Sequence, residues 1–379
     1  MIPLSLPNIA GNEWEYVKQC LDTGWISTAG SFVDRFEDEF ANYLKVDGAV
    51  SVVNGTSALH ISLQLLGVEN NDLVIMPNVT FVASANAISY IGADPLLIDI
   101  DKNSWQMDLD LLETFLSNEC KLDSFNSLVH LKTNRKVSAL MIVHVQGNMC
   151  DMDRLIAICN HYNLPVLEDA AEALGSQYKE QYAGTFGHIG CFSFNGNKIM
   201  STGGGGMIVS KNSDYLKKAK HLTTTAKRDS LTYFHDEVGY NYRLVNVLAA
   251  IGVAQLEKLD AFIASKKNIA SYYKNNLQGV GDIEFQHTLD CVQSNEWLFT
   301  LTTSSMQELL NYLNANGVMS RPFWIPMNQL PMYSNKIYIH SDDVSANVHR
   351  AALSIPCSTN ILEDDLGKVV NVIKSFYKN

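Results

Sequence analysis

A serine and a lysine lie close together ahead of a run of glycines in the middle of the chain. Ser193 and Lys198 fall in the segment 191–198, and the glycines occupy 203–206. A lone lysine in tightly packed surroundings suits a Schiff base, because burial lowers the pKa of its amine and glycines let a flat cofactor approach closely. The alternative is a solvated surface lysine, and glycine runs also form ordinary loops.

Two further segments carry groups that bind charge. Gly55, Thr56 and Ser57 lie where a strand pattern changes to a helix pattern, and free N–H groups and hydroxyls at a helix start can hold a phosphate. Ordinary helix capping explains the same residues. Asp169 and Glu172 follow an apolar strand, at the sheet edge where ligands bind in open α/β folds. There an aspartate either caps a helix or pairs with a positively charged ring nitrogen, and both interpretations stay open.

The segment 223–242 is polar, aromatic and loop-like, and it leads into Gly-Tyr-Asn-Tyr-Arg at 239–243. Asn241 and Arg243 could bind an anion, including one in a neighbouring subunit, although a loop asparagine also stabilises local turns. We assign Arg243 to substrate binding on this basis.

Short apolar runs alternate with helical patterns, and this alternation predicts parallel βα units. Strands are predicted at 49–53, 73–76, 96–100, 138–145, 164–168, 189–194, 206–209 and 296–302. Helices are predicted at 56–66, 152–162, 244–277 as one long element, 305–316, and from Glu363 onward. The polar stretch 117–136 is expected to be an irregular surface excursion. We therefore predict a large α/β domain at 1–255 and a smaller α+β domain at 256–379.

Composition and charge exclude several classes of protein. The chain has 379 residues, of which 46% are hydrophobic and 18% charged, as expected for a soluble globular protein with a sizeable core. Its net charge of -12, with no concentrated basic surface, disfavours nucleic acid as a partner. No apolar run is long enough for a membrane helix, and the N-terminus does not resemble an export signal.

The seven cysteines form no CxxC pair or Cys/His metal spacing, so we expect reduced thiols in a cytoplasmic protein and no bound metal. His144 and His188 are interpreted as structural histidines, because neither has a second ligand at helical or hairpin spacing.

The order of these parts is more specific than any one of them. A helix start suited to phosphate, an aromatic residue at Phe81, an aspartate at a strand end, the Ser-x4-Lys pair, the glycine run and Gly-Tyr-Asn-Tyr-Arg follow one another. In this order of motifs the chain resembles the DegT-type sugar-nucleotide aminotransferases, which are fold-type I pyridoxal-phosphate enzymes. The resemblance extends from Ile2-Pro3-Leu4 and Gly24-Trp25-Ile26-Ser27 into the C-terminal domain. It implies a three-layer α/β fold with a mostly parallel sheet in the large domain.

The resemblance also implies residue roles. Lys198 would join pyridoxal 5'-phosphate as a Schiff base and act as general base, and Asp169 would pair with the pyridinium nitrogen. The remaining cofactor contacts would be the phosphate-binding residues Gly55, Thr56, Ser57 and Ser193, the ring-stacking Phe81, the phenolate-facing Glu172, and Asn241 of the partner subunit. The active sites would then be shared within a homodimer.

One residue departs from the family pattern. Many members have glutamine where this chain has Glu172, so a neutral hydrogen bond to the cofactor phenolate would require a protonated carboxyl. Dehydratase relatives replace the lysine with histidine. Because Lys198 is present, the resemblance favours transamination.

The Phe-Asn-Gly-Asn-Lys motif at 194–198, the 117–136 segment and the Arg-Pro-Phe-Trp segment resemble one subgroup of the family. Its members move an amino group from L-glutamate to C4 of a UDP-2-acetamido-2,6-dideoxy-4-keto-hexose, for bacterial surface sugars. Arg321 would pair with phosphate and Trp324 would stack on the nucleotide or sugar, unless the two form a buried hinge.

Other functions stay open at this stage. The same scaffold could accept a GDP- or dTDP-linked sugar with a C3 or C4 ketone, act as a dehydratase or an amino-acid enzyme, or bind the cofactor or a sugar nucleotide without catalysis. A nicotinamide-dependent dehydrogenase is disfavoured, because the GxGxxG fingerprint is missing after the first strand.

Overall fold

The computed structural model of the chain describes residues 1–229 and 231–378. Ser230, within the predicted loop 223–242, and Asn379, the last residue of the predicted small domain, lie outside the described residues.

The helices are α1 (Glu13–Thr23), α2 (Ser31–Leu44), α3 (Gly55–Leu65), α4 (Ala83–Tyr90), α5 (Leu109–Glu119), α6 (Met152–His161), α7 (Ser213–Thr223), α8 (Asn246–Leu256), α9 (Leu259–Leu277), α10 (Met306–Ala315), α11 (Val344–Ala351) and α12 (Glu363–Phe376). The strands are β1 (Gly48–Val52), β2 (Leu73–Pro77), β3 (Asp94–Ile98), β4 (Cys120–Leu122), β5 (Leu128–His130), β6 (Arg135–Val143), β7 (Val166–Asp169), β8 (Gln177–Tyr178), β9 (Gln181–Tyr182), β10 (Ile189–Ser193), β11 (Gly206–Ser210), β12 (Glu284–Phe285), β13 (Val292–Gln293), β14 (Phe299–Thr302), β15 (Arg321–Pro322), β16 (Tyr338–Ile339) and β17 (Ala352–Ile355).

The large sheet has the strand order β1-β11-β10-β7-β6-β2-β3-β16. The neighbours from β10 to β16 pair in parallel, and β11 is antiparallel to both β1 and β10. Both faces of the sheet are buried: Leu73 and Ile75 of β2 pack in one hydrophobic cluster, and Val74 and Met76 pack in another. A strand covered on both faces is a continuous apolar run. The predicted three-layer fold with a mostly parallel sheet is confirmed.

A smaller antiparallel sheet, in the order β12-β14-β17-β15, lies in the C-terminal part of the chain. It packs against helices through a cluster that includes Leu301, Leu309 and Val369. Two segments cross the boundary predicted at residue 255. Ile2 belongs to this cluster and pairs with Val318, and β16 joins the large sheet beside β3. The division at that residue stays a prediction.

The prediction of one long helix at 244–277 is wrong, because α8 ends at Leu256 and α9 begins at Leu259. The break allows α8 to pack on α1 and α2 while α9 packs on α12. Periodicity alone does not reveal it, because both helices have apolar residues at helical spacing and no proline separates them.

The segment 117–136 is also more regular than predicted. It contains the end of α5 and a β4–β5 hairpin, and β5 pairs with β6. Buried Cys120 and Leu128 attach the hairpin to the core, but runs of three residues are too short to predict as strands.

The seven cysteines, all within the described part of the chain, are free thiols. Among the described residues, every helix is too short or too polar to cross a lipid bilayer.

Candidate active site

A cavity of about 360 Å³ lies between the start of α3, the ends of β7 and β10, and the segment 321–324 near the small sheet. Its lining includes nine of the residues singled out in the sequence: Gly55, Thr56, Phe81, Asp169, Glu172, Ser193, Lys198, Arg321 and Trp324. Residues from distant parts of the chain therefore meet at one edge of the parallel sheet, as expected for ligand binding in such folds.

One end of the cavity is the N-terminus of α3. The Asn54 side chain caps this helix by accepting the N–H of Ser57 at 2.8 Å, so the capping interpretation holds for that pair. Gly55 lies against β10, where an added Cβ would come within 2.8 Å of the Ser193 Cβ. The close approach brings Thr56 and Ser193 to the cavity beside the helix N-terminus. N–H groups and hydroxyls placed together fit a phosphate.

Asp169, at the end of β7, supplies a buried carboxylate. Its Oδ2 accepts a hydrogen bond from the Ser84 hydroxyl at 2.7 Å, and its Oδ1 accepts the N–H of Ala171 at 3.2 Å. Burial raises the pKa of Asp169, while these two donors favour the ionised form. A positively charged ring nitrogen beside the carboxylate would offset its desolvation. Sequence reasoning missed Ser84, because nothing distinguishes it from other helix serines.

A second buried carboxylate, that of Glu168, stabilises the same edge of the sheet. Glu168 accepts hydrogen bonds from three backbone N–H groups in the turn 184–187, at 2.6 to 2.7 Å, and contacts His144 Nε2 at 2.8 Å. The backbone N–H of His144 donates to the backbone carbonyl of Asp169. His144 therefore has a structural contact, as does His188, whose Nδ1 accepts the N–H of Val166. The backbone that carries Asp169 is held from both sides.

Lys198 lies close to two groups in the cavity. Its Nζ is 3.6 Å from Glu172 Oε1 and 4.0 Å from the centroid of the Trp297 ring. Glu172 Oε2 accepts the N–H of Gln146 at 2.8 Å. Burial raises the pKa of Glu172 to about 7, against the opposing effect of the Lys198 ammonium. The glutamate that departs from the family pattern therefore changes protonation near neutral pH.

Sequence reasoning also missed Gln146 and Trp297. Gln146 turns its N–H toward Glu172 through a left-handed backbone with φ of 59°, which no sequence signal indicates. Trp297 falls within the predicted strand 296–302, but it precedes β14 and its indole N–H donates to the carbonyl of Asn197. The two segments are about a hundred residues apart, so spacing could not connect them.

The opposite wall of the cavity comes from the segment 321–324. Arg321 is exposed and its Nη1 donates to the Ser320 carbonyl at 2.9 Å. The Trp324 ring stacks on Trp297, with centroids 6.2 Å apart and planes 18° apart. The half-exposed ring of Phe81 also lines the cavity. Because Arg321 is accessible at the cavity, a buried hinge does not describe it.

Three predicted site residues lie outside this cavity. Ser57 is buried beside it. Asn241 is exposed and pairs with Thr224, and Arg243 lines a separate cleft together with Lys220. Any contact of Asn241 with this kind of cavity would have to be made in a second copy of the chain, as the shared-site prediction requires.

The chain belongs to the DegT/DnrJ/EryC1/StrS aminotransferase family, whose sequence model matches residues 7–374. It is 37% identical to GDP-perosamine synthase of Escherichia coli O157:H7, over 100% of this chain and 99% of that protein. It is 29% identical to UDP-4-amino-4,6-dideoxy-N-acetyl-beta-L-altrosamine transaminase of Campylobacter jejuni, over the full length of both. Among solved structures, DesV of S. venezuelae in complex with a ketimine intermediate has a TM-score of 0.87 and 26% identity, covering 97% of this chain and 95% of that one.

The protein is therefore a pyridoxal-phosphate-dependent sugar aminotransferase, and the predicted family, cofactor and enzyme class are confirmed. The cavity fits the cofactor: the α3 start with Thr56 and Ser193 suits the phosphate, Asp169 suits the ring nitrogen, and Lys198 offers an amine. When bound, pyridoxal phosphate provides an electron-accepting ring that stabilises negative charge on a substrate carbon. The individual residue roles stay predictions.

Replacing Glu172 with glutamine should change how the stability of the cofactor-free protein depends on pH. The folded-state pKa of Glu172 is raised from 4.5 to about 7. Its contribution to stability is therefore fully present below pH 4.5 and is lost as the pH rises to about 7. Glutamine does not titrate. The unfolding free energy of Glu172→Gln should therefore rise relative to that of the wild type, by up to about 3 kcal/mol, between about pH 5 and about pH 8.

Denaturant unfolding at the two pH values measures this difference. The exposed Glu284→Gln is the control, and it should follow the wild type at both. A Glu172→Gln protein whose unfolding free energy runs parallel to that of the wild type would show that Glu172 titrates normally.

Proposed function

We propose that this enzyme moves an amino group from L-glutamate to the C4 ketone of a UDP-linked 2-acetamido-2,6-dideoxy-4-keto-hexose, in the cytoplasm, for bacterial surface-sugar biosynthesis. The observation that carries the proposal is the arrangement of one cavity. Lys198 and Asp169 lie on one side of it, and an exposed arginine and a tryptophan face it from the segment 321–324. This arrangement suits a substrate with a reactive ketone and a charged nucleotide portion.

Lys198 has the position needed to move protons. Once free, its Nζ would move a proton from Cα of glutamate to the cofactor in the first half-reaction, and from the cofactor to C4 of the sugar in the second. Asp169, fixed by Ser84 and by the N–H of Ala171, would remain ionised opposite the ring nitrogen. Glu172 Oε1, 3.6 Å from Nζ, would stabilise the ammonium while Nζ carries the proton within each half-reaction.

Two features support the nucleotide assignment to Arg321 and Trp324. The Arg321 side chain is exposed and, among the described residues, makes a hydrogen bond only to the Ser320 carbonyl, so four of its five N–H groups can bind a diphosphate. Trp324 is half-buried and already stacked on one face, and a flat aromatic surface favours stacking with a base or sugar.

The acceptor nucleotide has two candidates. The Campylobacter jejuni relative, whose name specifies a UDP-linked 4-amino-4,6-dideoxy sugar, and the Phe-Asn-Gly-Asn-Lys motif support the UDP sugar. The greater identity to GDP-perosamine synthase supports a GDP-linked sugar as the second candidate.

Steady-state rates with L-glutamate and each acceptor distinguish the candidates. We expect kcat/KM for UDP-4-keto-6-deoxy-N-acetylglucosamine to exceed that for GDP-4-keto-6-deoxymannose by at least about tenfold, a difference of about 1.4 kcal/mol. Arg321→Ala should lower kcat/KM for the sugar about 10- to 100-fold by removing a charged hydrogen bond. It should leave the glutamate half-reaction unchanged.

Arg350→Ala, which removes an arginine bonded to Asn347 away from the cavity, is the matched control. A preference for the GDP sugar would replace the proposed acceptor with the second candidate. A loss of the glutamate half-reaction in Arg321→Ala would contradict its assignment to the nucleotide.

We also infer that the active enzyme is a homodimer in which Asn241 of one chain serves the cavity of the other. Support comes from the segment that contains it. Leu231, Tyr233 and Val238 are 90%, 89% and 83% exposed, and apolar side chains exposed together are typical of an interface. A phosphate bound beside the hydroxyl groups of Thr56 and Ser193 could accept one more hydrogen bond, from the Asn241 amide of a second chain.

Mixing two inactive variants tests the shared site. Lys198→Ala lacks the amine, and Asn241→Asp places a negative charge near the phosphate, so each homodimer should have little activity. After subunit exchange, half of the dimers carry one intact site, so the mixture should recover about a quarter of wild-type activity. If Asn241 serves its own chain, every hybrid site is defective and activity does not recover.

A further inference from the structure

Trp297 lies directly against the free amine of Lys198. The Lys198 Nζ is 4.0 Å from the centre of the indole ring, and its side chain is only 11% exposed. An ammonium over an aromatic face is attracted by the ring quadrupole, most strongly over tryptophan and when shielded from water. Glu172 approaches the same atom at 3.6 Å. The amine therefore lies at a site formed by a ring and a carboxyl group.

The indole ring is held firmly in place. Its Nε1–H donates to the carbonyl of Asn197 at 2.7 Å, and its backbone N–H donates to Asn295 Oδ1 at 2.9 Å. Its carbonyl accepts a hydrogen bond at 2.8 Å from Lys266, a lysine only 2% exposed that also donates to the carbonyl of Cys357. A buried lysine needs such partners, and here one of them is the backbone of Trp297.

We propose that Trp297 is a positioning residue that holds the Lys198 amine whenever it is not bonded to the cofactor. An aminotransferase must release its lysine from the cofactor when a substrate amine replaces it, and must bond it again at the end of the cycle. Contact with the ring face as an ammonium is available only to the released lysine, because bonding to the cofactor uses the same Nζ. Trp297, together with Glu172, therefore stabilises the released state.

This role has a thermodynamic consequence that an effect on general stability would not produce. Binding of pyridoxal 5'-phosphate would form a bond to Lys198 Nζ, so the contact between Nζ and the Trp297 ring would be lost. Pyridoxamine 5'-phosphate leaves the lysine free, so its binding retains the contact. Removing the ring should therefore tighten binding of the pyridoxal form relative to the pyridoxamine form.

The test uses full-length protein stripped of cofactor. Dissociation constants for pyridoxal 5'-phosphate and pyridoxamine 5'-phosphate are measured for the wild type, Trp297→Leu and Trp297→Phe. In Trp297→Leu, the ratio of the pyridoxamine constant to the pyridoxal constant should rise about two- to fivefold, the range for a partly shielded cation over a ring. Trp297→Phe keeps an aromatic face and should show a smaller rise.

The control is Trp14→Leu, which removes a tryptophan 82% exposed on α1 and should leave the ratio unchanged. Thermal melts identify the variants that fold. If Trp297→Leu does not fold, Trp297→Phe, which keeps most of the side-chain volume, provides the test. An unchanged or lowered ratio in a folded variant would overturn the proposal. Equal rises in both variants would also overturn it, because they would trace the effect to the lost Nε1–H bond.

The measurement uses neither a sugar nor an amino acid. It rests on the aminotransferase class alone, so its outcome is independent of whether the acceptor carries UDP or GDP.

Discussion

The proposed pairing of Asp169 with a ring nitrogen requires an ionised carboxylate in a side chain that is only 5% exposed, and several neighbouring groups favour that form. Burial raises the pKa of the Asp169 carboxyl. The Ser84 hydroxyl, the N–H of Ala171 and the ammonium of Lys198 act in the opposite direction. One layer behind, Glu168 has hydrogen-bond donors on both of its oxygens, so it adds rigidity without an unpaired charge. The carboxylate that would bind the ring nitrogen is thus fixed before the cofactor arrives.

The fold brings the other residues of the site next to Asp169. A parallel sheet brings the ends of β7 and β10 to one edge, where Asp169 and Ser193 lie beside the start of α3. This edge supplies one side of the cavity. The segment 321–324 supplies the opposite side, and the residues around Trp297 connect the two. The contact of Ile2 with the small-domain cluster and the pairing of β16 with β3 join the two parts of the chain further.

The sequence was most informative where function and structure use consecutive residues. Strands buried on both faces are apolar runs, so β2, β6 and β7 were predictable. Lys198, Asp169 and the helix start at Gly55 follow in an order that indicated the family. Trp297 and Gln146 could not be found in this way, because their roles depend on contacts between distant segments and on a left-handed backbone. The break between α8 and α9 and the β4–β5 hairpin were missed because neither changes the hydrophobic pattern enough.

The proposed activity depends on Lys198 being the residue to which the cofactor bonds. Borohydride reduction of the holoenzyme, followed by peptide mass spectrometry, tests it most directly, because reduction makes the lysine–cofactor bond permanent. We expect a phosphopyridoxyl group on the peptide that contains Lys198, and we expect Lys198→Ala to lose both this group and the yellow absorbance of the wild type. A label on another lysine, such as the buried Lys266, or the same label yield in Lys198→Ala, would show that the cofactor bonds to a different residue.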